Sequence, residues 1–195
     1  MLDINKKIEK AIINSISVKE GILQNKKLIE KINLAVEILV QAFTENNKVL
    51  FCGNGGSAAD AQHISAELSG RFLKDRDPLY AEALHVNSSY LTAVANDYSF
   101  DQVYSRLVKA KCNEGDVLFG ISTSGNSKNV VNAIKEANIL GVKTIGLVGR
   151  SKGLLSDICD LTINVPSQST PRIQEAHILI GHIICENVES IIFSD

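Results

Sequence analysis

Long apolar runs, paired cysteines and any strong excess of charge are all missing from this 195-residue chain. No apolar run approaches the roughly 18 residues needed to span a bilayer, which excludes a membrane bundle. The four cysteines, at 52, 112, 159 and 185, form no C-x-x-C pair. That argues against a thiolate zinc site or a small disulfide framework and for free thiols in a reducing, cytoplasmic setting. Twenty Lys and Arg against 22 Asp and Glu give a net charge of −2, so no basic field points to nucleic acid or acidic lipid. The opening Met1-Leu-Asp-Ile-Asn-Lys-Lys has no apolar stretch behind it and is not expected to be a signal peptide. Neither G-x-G-x-x-G nor G-x-x-x-x-G-K-[ST] occurs, which removes the usual dinucleotide and nucleotide loops. No repeat, low-complexity tract or linker divides the chain, and its length predicts one domain, 1–195.

What is present is ordinary for a globular protein, with 45% hydrophobic and 22% charged residues. Two apolar stripes come first. Ile4, Ile8, Ile12 and Ile16 recur every four residues, and Leu28, Ile32, Ala35, Val36, Leu39, Ala42 and Phe43 follow helical spacing, so residues 3–45 are predicted helical. Two long helices ahead of any strand exceed what one domain need cover and predict a partner chain. After Asn46 the rhythm changes. Short apolar runs at 48–53, 81–86, 116–121, 143–148 and 161–165 read as strands. Helices are expected at 57–70, where Ser57-Ala-Ala-Asp60 fits a capping box, and at 88–96, 100–111, 128–140 and 172–192, with Gly141 as a stop and 166–171 as loop. Alternating strand and helix predicts an α/β fold, a mainly parallel five-stranded sheet flanked by helices. Residues 1–45 would form an N-terminal helical segment and 46–195 the α/β core with its C-terminal helix.

Two strand-to-helix turns carry chemistry. Ser122-Thr123-Ser124-Gly125-Asn126-Ser127 places four hydroxyls at a helix N-terminus, a setting that favours an anion. Without a lysine it suits a monophosphate better than ATP; a serine-rich N-cap is the plain alternative. Asn54-Gly55-Gly56-Ser57 lets backbone approach a ligand closely, or is simply a tight turn. His63 and Glu67 share a face of the helix after it, as a metal or proton-transfer pair or a solvated one. The last helix is apolar nearly all round, so His182 on it is expected to be buried and to need a partner, with Gln174 two turns earlier. His85 and His177 read as structural or surface residues.

Phe51-Cys-Gly-Asn-Gly-Gly-Ser57, His63 with Glu67, Ala95-Asn96-Asp97, Gly120 to Ser127, and Arg172-Ile-Gln-Glu175 with His182 resemble, in this order, the phosphoheptose isomerase family of the sugar-isomerase (SIS) domain superfamily. The Ser/Thr loop marks the superfamily and the His63/Glu67/Gln174/His182 set the isomerase within it. The resemblance implies conversion of sedoheptulose 7-phosphate to D-glycero-D-manno-heptose 7-phosphate, the first step towards the heptose of bacterial surface polysaccharide, lipopolysaccharide or capsule. It implies one zinc per subunit on His63, Glu67, Gln174 and His182. Substrate would meet Asn54, Gly55, Gly56, Glu67, Asn96, Asp97, Ser122, Thr123, Ser124, Ser127 and Gln174, with Glu67 and His182 catalytic. The resemblance also implies a homotetramer whose active sites are shared between subunits. The chain departs from some members at Pro171, where they carry an acidic residue. Non-catalytic SIS-domain regulatory tetramers are the alternative; possession of both Glu67 and His182 favours the enzyme. A SIS-type sensor would usually bring a DNA-binding domain, for which no basic segment is present.

Overall fold

The computed structural model describes residues 3–151 and 153–194. Two helices come first, α1 (Ile4–Leu23) and α2 (Lys26–Thr44), followed by β1 (Val49–Gly53) and α3 (Gly56–Ser69). Next come β2 (Ala81–Ala83), α4 (Ser88–Asp97), a 3-10 turn at Phe100–Gln102, α5 (Val103–Lys111) and β3 (Val117–Ser122). The chain finishes with α6 (Lys128–Ile139), β4 (Lys143–Val148), α7 (Leu155–Ile158), β5 (Leu161–Asn164) and α8 (Thr170–Ile192).

The strands pair in the order β2-β1-β3-β4-β5, all parallel. Every residue of β1 and β3 is buried because helices cover both faces. Val49, Phe51, Val117, Phe119 and Ile121 pack with α2, α3 and α8 on one face. Leu50, Cys52 and Leu118 pack with α5 and α6 on the other. Strand order reverses direction between β1 and β3, so the crevice beyond their C-terminal ends is the topological switch point at which ligands of open α/β sheets bind. Both chemically marked turns emerge there.

Several local expectations change. The capping box does not form: Gly55, at φ +54°, takes the N-cap position of α3 and Ser57 is buried one residue inside. β2 stops at Ala83, being an edge strand that pairs with β1 over only three residues. α8 starts at Thr170, with Pro171 in its first turn, where the missing N–H costs nothing. α8 is buried along one stripe only, and His177, not His182, sits in it with no exposure. The α1 stripe is solvent-facing: Ile4, Ile8 and Ile12 are each more than half exposed.

Candidate active site

Three helices are capped by side chains: Asp3 accepts from the N–H of Lys6, Asn25 from Leu28 and Asn87 from Tyr90. α3 and α6 are not. Gly55 has no side chain to offer, and the Ser127 hydroxyl turns away to Ser122 Oγ, 2.9 Å distant. Among the described residues the N–H groups of Lys128 and Asn129 have no hydrogen-bond acceptor. Two uncapped N-termini flank one crevice, with free donors and positive dipole ends directed at one place.

The serine loop is held from behind. Gly149 N–H donates to the Thr123 carbonyl, Leu155 N–H to Gly125, and Leu154 N–H to Asn126 Oδ1. Ser122 is buried, Thr123 and Ser127 are half-buried and Ser124 is exposed, so the hydroxyls grade from the wall of the crevice to its mouth. The two turns are joined by Asn54 and Asn129, whose amides exchange hydrogen bonds at 2.8 Å in each direction. Gly56 lets the Gln174 amide lie against the backbone, where a Cβ would displace it. Gln174 thus belongs to the same crevice. Asn96 and Asp97 end α4, exposed and bonded to each other at 2.9 Å. Among the described residues no hydrogen bond links them to the serine loop.

Further along α3 and α8 a second group gathers. His63 Nε2 lies 2.9 Å from Glu67 Oε1 and 3.4 Å from His182 Nε2, the two rings meeting edge to face at 5.0 Å. One ligand atom from each of the three falls within 4.8 Å of the others, close enough to hold a metal ion. His182 is half-buried rather than buried, and its partners are these side chains and the Phe72 ring. Gln174, eight residues before His182, is about 12 Å away along the axis of α8 and outside this group. Asp60, one turn before His63 on α3, has its carboxyl pushed up by burial to about 6, opposed by His63. Burial pushes the Cys112, Cys159 and Cys185 thiols up to about 12 and Cys52 higher still, so none of them supplies a thiolate near neutral pH. Sequence reasoning missed Asn129, Arg76 and Glu189, which shape the site through contacts far apart in the chain.

A hydroxyl-rich loop at the switch point of a parallel five-stranded sheet is the architecture of a SIS domain, and the SIS domain family model matches residues 17–149. The chain is 52% identical over 188 residues to the phosphoheptose isomerase of Clostridium acetobutylicum, covering 96% of each. Solved phosphoheptose isomerases share the fold. That from Neisseria gonorrhoeae is 42% identical with a TM-score of 0.90, over 96% of this chain and 99% of that one. That from Francisella tularensis is 37% identical with a TM-score of 0.92, over 97% and 100%. The chain belongs to the phosphoheptose isomerase family.

Proposed function

We propose that this chain isomerises sedoheptulose 7-phosphate to D-glycero-D-manno-heptose 7-phosphate through an enediol or enediolate. This would be the first step of heptose synthesis for bacterial surface polysaccharide, whether lipopolysaccharide or capsule, in the cytoplasm. The observation that carries the reading is the gathering of His63, Glu67 and His182, because the phosphate loops alone would serve a binding module equally well. From Gly56 to His63 is seven residues of α3, about 10 Å along the axis. That separation suits an extended seven-carbon chain with its phosphate in the crevice.

In this reading Ser122, Thr123, Ser124 and Ser127 and the uncapped N-termini hold the phosphate, while Asn54, Gly55, Gly56, Asn96, Asp97 and Gln174 line the sugar. The Glu67 carboxylate takes a proton from C1 and returns one to C2, and His182 moves the proton between the two oxygens. Positioned proton transfer of this kind contributes about 10²–10⁴-fold. The reaction moves protons only and asks for no redox cofactor.

Zinc, one per subunit, fits the donor set. Bonds of about 2.1 Å in a tetrahedron put neighbouring ligands about 3.4 Å apart, and the His63 and His182 nitrogens stand 3.4 Å apart. His63, Glu67 and His182 would hold it; the fourth ligand that the resemblance implies, Gln174, lies against Gly56 and outside this group. When bound, it would supply positive charge where the intermediate carries negative charge. Nitrogen and oxygen donors suit zinc without excluding other divalent ions.

The chain is read as one SIS domain, 1–195, in which the helical segment 1–45 serves the 46–195 core by packing against other subunits in a homotetramer with shared active sites. Support comes from the exposed isoleucines of α1 and from the open side of the triad, where the His63 side chain is 49% exposed. Light scattering should give about 85 kDa, four times the 21.2 kDa of one chain; a mass near 21 kDa would remove the tetramer. The function itself is tested by incubating purified protein and zinc with sedoheptulose 7-phosphate and following aldoheptose phosphate by NMR. Conversion is the expected result. No conversion would favour a non-catalytic regulatory tetramer.

A further inference from the structure

Glu189 lies on α8 seven residues beyond His182, hence on nearly the same face of that helix. Arg76 lies in the loop that leaves α3. The two form an ion pair, Arg76 Nε to Glu189 Oε2 at 3.0 Å, and their side chains are only 3% and 2% exposed. The rest of the guanidinium closes the end of α3. Nη2 donates to the Glu67 carbonyl at 2.9 Å, and Nη1 donates to Leu68 at 2.8 Å and Gly70 at 3.0 Å. The Glu189 carboxylate also accepts the backbone N–H groups of Phe72, Leu73 and Lys74 at 3.0, 2.8 and 2.7 Å. Burial alone would raise this carboxyl, but those three N–H groups and Arg76 outweigh it and hold it below the ordinary range. Phe72, fixed in this way, lays its ring against His182 with centroids 5.6 Å apart.

The pair therefore grips the backbone of Glu67 with one hand and the helix of His182 with the other. At the level of His63 and His182, α3 and α8 touch so closely that a Cβ on Gly181 would collide with Ile64; the Arg76–Glu189 pair ties the two helices together beyond that contact, where α3 carries Glu67 and ends. Well-packed apolar residues often replace a buried ion pair at no cost, but here they would leave three backbone N–H groups and three carbonyls without these partners, so the pair both stabilises and fixes the backbone it binds.

We propose that Arg76 and Glu189 are positioning residues for the reaction: they fix the end of α3 against α8 and so set the distances among Glu67, His63 and His182. The kinetic consequence rests on the roles proposed above for Glu67 and His182.

Two variants test this, Glu189→Gln, which keeps shape but not charge, and Arg76→Lys, which keeps charge but not the fork. In folded, correctly assembled variant protein, kcat for sedoheptulose 7-phosphate should fall at least tenfold while KM changes less than threefold, because the phosphate crevice is built by other residues. Arg76→Lys should retain more kcat than Arg76→Met. A crystal structure of either variant should show the His63–His182 nitrogen separation widened beyond 3.4 Å. Should Glu189→Gln fail to fold, Arg76→Lys carries the same measurements. An unchanged separation, or kcat and KM both at wild-type values, would overturn the proposal. If Glu67→Gln itself turns over normally, the catalytic reading falls, while the crystallographic separation still decides the clamp.

Discussion

Asn54 and Asn129 pair their side-chain amides, each donating to the other's oxygen at 2.8 Å, across 75 residues of sequence. The pair fastens the turn after β1 to the head of α6, so the two loops that flank the crevice move as one. Asn129 Oδ1 also accepts the Val130 N–H, and the side chain is buried. Neutral hydrogen bonds contribute about 1 kcal/mol each, so Asn129→Ala should lower stability by about 2–3 kcal/mol. It should also raise KM several-fold by loosening the loops. Asn129→Asp keeps the acceptor but places a carboxylate beside the phosphate, and should raise KM further. A urea titration and a KM measurement check both; stability and KM at wild-type values would show the pair to be idle.

Ser124 stands at the mouth of the crevice, exposed, with its hydroxyl accepting the Asn126 N–H at 3.2 Å. A hydrogen bond to a charged group contributes about 1.5–3 kcal/mol. Ser124→Ala should therefore raise KM for the heptose phosphate about tenfold or more. The loss should be smaller for a non-phosphorylated ketose, and equal losses on both would remove Ser124 from the phosphate site.

His177 is buried on α8 without a well-formed hydrogen bond to either ring nitrogen among the described residues. Burial lowers its pKa from 6.5 to about 4, and the Val148 carbonyl offsets this only in part. Below pH 6.5 the unfolded chain takes up a proton that the folded chain refuses. Stability contributed by the neutral ring is thus complete above 6.5 and lost as pH falls towards 4, by up to about 3 kcal/mol. Unfolding by urea at pH 7 and pH 4.5 should show a drop that His177→Leu reduces; equal drops in both proteins would contradict the burial argument.

The five parallel strands, both ligand turns and the His63–Glu67 pair were legible because each depends on local pattern: apolar runs alternating with helical stretches, glycine and serine punctuation, i, i+4 spacing; the strand order β2-β1-β3-β4-β5 was not, since it is set by pairing between distant segments. Other features were not. An all-round apolar helix gives no sign of which stripe faces inward, so the burial expected of His182 belongs to His177, five residues earlier. α7 spans only Leu155–Ile158, too short for any period. Gly55 takes the cap that Ser57 was expected to fill, because the turn after β1 enters the left-handed region. Asn129 and the Arg76–Glu189 pair act across 75 and 113 residues, and nothing near any of them in sequence marks a partner.

The central claim is that Glu67 and His182 move protons. It is tested most directly by hydrogen exchange at C1 of sedoheptulose 7-phosphate in heavy water, followed by NMR with metal-stripped wild type alongside. That comparison separates a lost proton carrier from a lost ion, and the exchange reads the first step apart from product release. Wild type should exchange C1 hydrogen and form aldose, whereas Glu67→Gln and His182→Gln should fall by about 10²–10⁴-fold with the fold intact, below the metal-stripped control. Exchange and turnover at wild-type rates in both variants would contradict the account.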